Sequence, residues 1–245
     1  MQTILIAGVS GAIGGSMARA LLQRESEMRI IGLCRQRDKV ARELASDPRV
    51  TLLDWDATSV EGSLSVALQG VLPVEEGLDS IIFAAGVLHG QGIQPEKRIE
   101  DLDPETLARV FQINATGFAQ LLKVLMPWLQ HRRFKRVVAI SAKVGSITDN
   151  RFGGWYAYRS SKAALNMLVK TLSVELSRRC KPVACVALHP GTTQSPLSEP
   201  FARSLAQLDV HTPAQTAANL LRVMDELDER MNGTFLSWDG SLLEW

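Results

Sequence analysis

The sequence predicts an α/β fold: one doubly wound domain over residues 1–245, its mostly parallel sheet of about seven strands covered by helices on both faces. Three observations carry this reading. Short continuous apolar runs recur along the chain, helical patterns separate them, and a glycine-rich turn joins the first run to the first helix. The runs are residues 3–8, 29–34, 50–54, 80–84, 136–141 and 183–188. Continuous rather than alternating hydrophobicity is what strands covered on both faces require. Helical patterns occupy residues 16–24, 38–45, 60–69, 104–130, 156–178 and 213–229. Two of them have explicit start signals: Asp103 before Pro104, and Thr212, Pro213 and Gln215 in capping-box spacing. Right-handed crossovers then put helices on both sides of the sheet, and a last short strand at residues 234–238 closes one edge. Residues 192–211 lack periodicity and contain Pro196 and Pro200. A loop of that length reads as a lid rather than a hinge between domains, with Leu197, Phe201 and Leu205 as apolar lid candidates.

Charge and composition exclude several classes of function. The 27 Lys+Arg and 26 Asp+Glu leave a net charge of +1, which argues against a general binder of nucleic acid or anionic membrane. The basic run HRRFKR at 131–136 is better explained as cations complementing a helix C-terminus. Cys34, Cys180 and Cys185 are too few and too irregular for a disulfide framework, so a reducing, cytoplasmic setting is expected. His89, His131, His189 and His211 are scattered without ligand spacing, and no metal site is expected. The N-terminus enters TILIAGV with no basic region before it, which reads as neither signal peptide nor membrane span. No apolar run approaches the ~18 residues that a spanning helix needs.

GVSGAIGG follows the first strand and opens a helix. In a Rossmann-type sheet this turn takes a dinucleotide's pyrophosphate, because glycines let the backbone approach and the helix N-terminus offers free N–H groups. Gly8, Ser10, Gly11, Ile13 and Gly14 are the candidate contacts. The competing reading is simply a tight turn, and its place after the first strand favours the cofactor. The second strand ends in IIGLCRQRDK, with Cys34 where an acidic residue would meet a free ribose 2′-hydroxyl. Arg35 follows and Arg37 is nearby, so NADP is favoured over NAD, unless these arginines are only solvated loop charges. In LDWD, Asp54 could accept from the adenine amino group and Trp55 could pack on the ring.

YRSSK places Tyr158 and Lys162 four residues apart, on one face of a helix continued by Leu165, Val169, Leu172 and Leu176. A lysine in such a face needs a reason, since burying an unpaired ammonium is costly. Beside a phenol, its charge would favour phenolate and lower the tyrosine pKa from ~10. An isolated Tyr-x-x-x-Lys would more simply be a packing tyrosine with a snorkelling lysine. Asn114 interrupts the apolar stripe Leu107, Phe111, Phe118, Leu121 and Leu125, and must be hydrogen-bonded inside. Structural asparagine and catalytic water-holder both remain open. Gly153-Gly154-Trp155, just before Tyr158, is either an aromatic wall for a substrate or a turn with a packing tryptophan.

Together GVSGAIG, LDWD, FAAG, INATG, ISAKVGS, YRSSK, HPGTTQS and the terminal WDGSLLEW resemble the short-chain dehydrogenase/reductase family along essentially the whole chain. VGSITDNRFGGWYAYRSSKAALN and LHPGTTQSPLSEPF look most like its carbonyl-reductase and C-factor-like branch. The resemblance implies an NADP-dependent oxidoreductase moving hydride between cofactor and a carbonyl or secondary alcohol, commonly as a homodimer or homotetramer. It implies Tyr158 as acid/base, Lys162 holding the nicotinamide ribose, and Asn114 anchoring a water. Ala84, Ala85 and Gly86 would border the cofactor. Pro190, Gly191, Thr192 and Thr193 would lie along the nicotinamide. Three departures stand out. Ala12 replaces a turn glycine, and Phe83-Ala84-Ala85-Gly86 replaces Asn-Asn-Ala-Gly. The substrate-orienting serine falls at Ala142, and Ser141 can substitute only if the strand end is irregular, because neighbouring side chains of a strand face opposite ways. A catalytically weak, cofactor-sensing or signalling protein of the C-factor type is the alternative.

Overall fold

Runs of Ile, Leu and Val with few turn residues become strands buried on both sides. A computed structural model describes residues 1–24, 26–59, 63–90, 92–201 and 209–245. In chain order the strands are β1 (Gln2–Ala7), β2 (Met28–Cys34), β3 (Val50–Asp54), β4 (Ser80–Phe83), β5 (Lys135–Ile140), β6 (Val183–His189), β7 (Thr192–Thr193), β8 (Val210–His211) and β9 (Phe235–Ser237). Seven of them form one sheet, ordered β3-β2-β1-β4-β5-β6-β9, with every neighbouring pair parallel. The central strands are buried almost end to end, while the edge strand β3 is mostly half-buried. Side-chain alternation splits the interior in two. Leu5 and Ala7 join Leu33, Phe83, Phe118 and Leu165 on one face, and Ile4 and Ile6 join Met17, Leu21, Leu220 and Met224 on the other.

The helices are α1 (Ala12–Arg24), α2 (Arg42–Ala45), α3 (Ser63–Val71), α4 (Pro104–Phe111), α5 (Gly117–Leu125), α6 (Tyr156–Arg179) and α7 (Pro213–Glu226). Both expected caps form. The Asp103 carboxylate accepts from Thr106 N at 2.7 Å. Thr212 and Gln215 close a reciprocal capping box. Among the described residues, no helix is long and apolar enough to cross a membrane.

Three expected helices come out shorter or broken. Val40 and Ala41 take extended backbone, which confines the expected 38–45 helix to a 3₁₀ turn and the four residues of α2. The expected 104–130 helix widens into a π turn at Gln112–Thr116 and ends in a 3₁₀ turn at Met126–Leu129, where Pro127 has no N–H to give. Leu227 is extended and stops α7 at Glu226. Residues 60–62, where another helix was expected to begin, lie outside the described residues.

The chain runs outward from β1 through β2 to β3, then returns to β4 on the other side of β1. Loops leaving β1 and β4 therefore diverge, and a crevice opens beyond the carboxyl ends of the strands. The 192–211 segment has a stem that its sequence does not announce. β7 and β8 pair in parallel, Thr192 with Val210 and Thr193 with His211, and Gln194 N donates to the His211 carbonyl at 2.8 Å. Leu205 and the side chain of Phe201 lie outside the described residues.

Candidate active site

The first wall of the crevice is backbone. Gly8 has φ +90°, and a Cβ there would stand 2.9 Å from the Ala84 carbonyl carbon and the Ala85 nitrogen. A Cβ on Gly14 would run into the Gly8 carbonyl oxygen, so this glycine lets α1 seat on the turn. Gly11 N donates to Gly8 O at 3.0 Å, and α1 starts at Ala12, which takes its helical place without disturbing the turn. The first N–H groups of a helix have no partner within it and suit an anion. Ser10 and Gly11 line a cavity of about 470 Å³ that also meets Arg35, Trp55 and Gly86.

Two residues at this end differ from expectation. Arg37 binds the Asp54 carboxylate through Nε at 2.8 Å and Nη2 at 3.1 Å, so Asp54 is turned to that ion pair, and Asp56 lines the cavity instead. The Arg37 guanidinium holds the Asp54 carboxyl below its ordinary pKa. Lys39, which the sequence reading passed over, lines the cavity with Arg35. Both are exposed, and among the described residues neither makes an ion pair. Phe83, the departure from Asn-Asn-Ala-Gly, is fully buried and packs against Trp55 and Phe118 at centroid separations of 6.2 and 5.4 Å.

The second cavity, of about 590 Å³, shares Ala84, Ala85, Gly86, Leu88 and Leu197 with the first, so the two form one trough. Ile13, Tyr158, Lys162 and the run Pro190 to Thr193 line it. Lys162 is 4% exposed, and its Nζ donates to the Ile140 carbonyl at 2.9 Å and lies 5.8 Å from the Tyr158 ring centroid. The expected lowering of the tyrosine is not found. Burial pushes Tyr158 up to about 12 and Lys162 down to about 8. The ammonium is aimed at a backbone carbonyl, and exclusion of water disfavours phenolate more than a charge at that range favours it.

Asn114 is fully buried in the π turn, and both polar atoms of its side chain are hydrogen-bonded. Oδ1 accepts from Val87 N at 2.8 Å, while Nδ2 donates to Val87 O at 2.9 Å and to Ser161 Oγ at 3.0 Å. It therefore clasps the loop after β4 to α6. A Cβ on Gly86 would sit 3.4 Å from Asn114 Oδ1 and 3.6 Å from Lys162 Nζ, which keeps all three beside the trough.

Ser141 lines the second cavity with Ala142, but its hydroxyl is held elsewhere. The strand end is regular: Ser141 N continues the ladder to Leu188 O at 2.9 Å, and Ala142 is extended. Alternation then turns the Ser141 hydroxyl inward, where it is 2% exposed and donates to Asn166 Oδ1 at 2.6 Å. Ser141 braces β5 against α6, and Ala142 offers only a methyl group. Thr193 is likewise committed, its hydroxyl sharing a 2.8 Å hydrogen bond with Thr216. Gly191, at φ +72°, is needed where it stands, since a Cβ would meet Trp238 Cδ1 at 2.9 Å.

Aromatic side chains shape the far wall. Trp155 takes left-handed backbone, φ 51°, and sets its ring edge-on to Tyr158 at 6.2 Å, so it serves as both turn and wall. Phe152 lines the mouth and is 94% exposed. His189 lines the same cavity, and burial pushes it down to about 4, hence neutral. Across the trough, His89 Nε2 donates to the Pro196 and Leu197 carbonyls at 3.0 and 3.1 Å. No local pattern in the sequence marks His89, Lys39 or Trp238 as neighbours of this site. The glycine cradle, the cations Arg35 and Lys39 at one end and the Tyr158–Lys162 pair at the other fit an elongated dinucleotide.

Comparison with known proteins identifies the family. The chain is 30% identical over 247 residues to 1-hydroxy-2-glutathionyl-2-methyl-3-butene dehydrogenase of Rhodococcus sp. (strain AD45), covering 100% of both. It is 36% identical over 146 residues to the C-signal protein of Myxococcus xanthus, covering 59% of this chain and 82% of that one. The carbonyl reductase Sniffer of D. melanogaster superposes with a TM-score of 0.85 at 26% identity, covering 100% of both chains. A family model described as short chain dehydrogenase matches residues 2–206. The chain therefore belongs to the short-chain dehydrogenase family of oxidoreductases.

Proposed function

We propose that this protein is an NADP-preferring oxidoreductase that moves hydride reversibly between the cofactor and a carbonyl or its alcohol, with Tyr158 as its acid/base. The single observation that carries the reading is Tyr158 and buried Lys162 lining one trough with the glycine cradle. Ser10, Gly11 and the start of α1 would hold the pyrophosphate, and Arg35 with Lys39 would hold a 2′-phosphate. Trp55 and Asp56 would border the adenine, Lys162 the nicotinamide ribose, and Pro190, Gly191 and Thr192 the nicotinamide. When bound, the cofactor supplies the hydride.

The chain's own residues handle the proton. Tyr158, with its pKa pushed up to about 12, keeps its proton at neutral pH and can give it to the carbonyl oxygen as that oxygen gains the C=O electron pair. Lys162, at about 8, is mostly charged at pH 7 and stabilises the phenolate left behind. Asn114 holds the loop after β4 and α6 in register for this. Ala142 gives the substrate oxygen no second hydroxyl.

Purified protein, NADPH and a panel of aldehydes, ketones and glutathionyl adducts, followed by absorbance of the reduced cofactor, tests the reading. Turnover that Tyr158→Phe abolishes is expected. Equal activity in that variant would sink the mechanism. A second reading, binding without turnover as a cofactor-gated signalling protein, is favoured by the methyl of Ala142 and by likeness to the C-signal protein. Tight NADP binding, no turnover on the panel and NADP-dependent recovery of a partner protein would support it.

A further inference from the structure

We propose that Glu96, in the loop between β4 and α4, is a positioning residue for Tyr158; this rests on Tyr158 being the proton donor. Helices usually cap their first N–H groups with a Ser, Thr, Asp or Asn at the N-cap. In α6 the N-cap is Trp155, whose side chain caps nothing. The cap comes from Glu96, 61 residues before Ala157: Oε2 accepts from Ala157 N at 3.2 Å, and the Glu96 backbone carbonyl accepts from Trp155 N at 2.6 Å. Gly153, Gly154 and Trp155 all have positive φ, at 63°, 64° and 51°, and only Trp155 has a Cβ to strain there. Such strain persists where the surroundings over-determine the conformation, and it gathers at functional sites. The two Glu96 bonds are that restraint. They hold the Trp155 ring against Tyr158, where both line the second cavity.

Stability alone accounts poorly for this carboxylate. Glu96 is 4% exposed, and its Oε1 is buried with no hydrogen-bond partner among the described residues, a costly arrangement. Its position under the first turn of α6, the turn that carries Tyr158, gives that cost a purpose.

The test compares Glu96→Ala with Glu96→Gln, with kcat normalised to NADPH-binding sites. A loosened first turn should lower kcat in Glu96→Ala by about 10–100-fold, with NADPH affinity unchanged. Glu96→Gln keeps the acceptor and should restore most of the loss. Near-UV circular dichroism from the Trp155–Tyr158 pair should fall in the alanine variant and return in the glutamine one. Wild-type kcat in Glu96→Ala overturns the proposal. If that variant does not fold, Trp155→Gly supplies the background, because glycine adopts this backbone without strain. Adding Glu96→Ala to it should then change kcat by less than about twofold, and a further tenfold loss overturns the proposal. Full activity in Tyr158→Phe would instead refute the acid/base reading itself.

Discussion

At the β2 end of the trough the wall is main chain: Gly8 presses against the Ala84–Ala85 backbone, Gly14 seats α1 on the turn, and Arg35 and Lys39 stand at the rim with no ion pair among the described residues. At the β5 end it is side chain: Tyr158, Trp155 and Phe152 face a cavity in which Lys162 is aimed at a carbonyl and the Ser141 hydroxyl is bonded to Asn166. The first end tolerates almost no added atoms, and the second is defined by which groups are present. Binding and chemistry should therefore fail separately.

Tyr158→Phe should separate them most sharply, lowering kcat about 10²–10⁴-fold while NADPH affinity, measured by cofactor fluorescence, stays within about twofold. Gly14→Ala should do the reverse. Forcing a methyl against the Gly8 carbonyl costs about 1–3 kcal/mol, read as a lower Tm together with weakened NADPH binding. Arg35→Ala and Lys39→Ala should each raise KM for NADPH about tenfold and leave NADH unchanged, since each removes one charge-assisted contact to a phosphate that only NADPH carries. Equal effects on both cofactors would show that these cations do not meet the 2′-phosphate.

The smallest effect concerns pH. Reduction needs Tyr158 protonated and Lys162 charged. Tyr158, at about 12, keeps its proton across the neutral and mildly alkaline range, so Lys162, at about 8, loses its charge first. The rate of reduction should fall as pH rises through about 8, and this limb should vanish in Lys162→Met. A limb that survives there belongs to another group.

The same contrast explains what the sequence disclosed. Gly8, Gly11 and Gly14 are legible because a turn's demands are local, and the Thr212–Gln215 box and the Tyr158–Lys162 spacing lie within single helices. That the strands run parallel and are covered on both faces followed from their unbroken hydrophobicity, whereas their order needed the structure. What stayed hidden depends on partners far along the chain. Asn114 meets Val87, Ser141 meets Asn166, and Glu96 meets Ala157. Asp54 looked like an adenine contact because nothing local announced that Arg37 would take its carboxylate.

The β7–β8 stem carries one more consequence. Because Thr192 and Thr193 already stand beside Val210 and His211, the two ends of the segment 194–209 are held together at one anchored point. The chain between can be exchanged or lengthened at little entropic cost, since its ends are joined whatever lies between them. This is a cassette: grafting the corresponding segment from a relative should change which substrates are accepted, with the sheet and the cofactor turn left as they are.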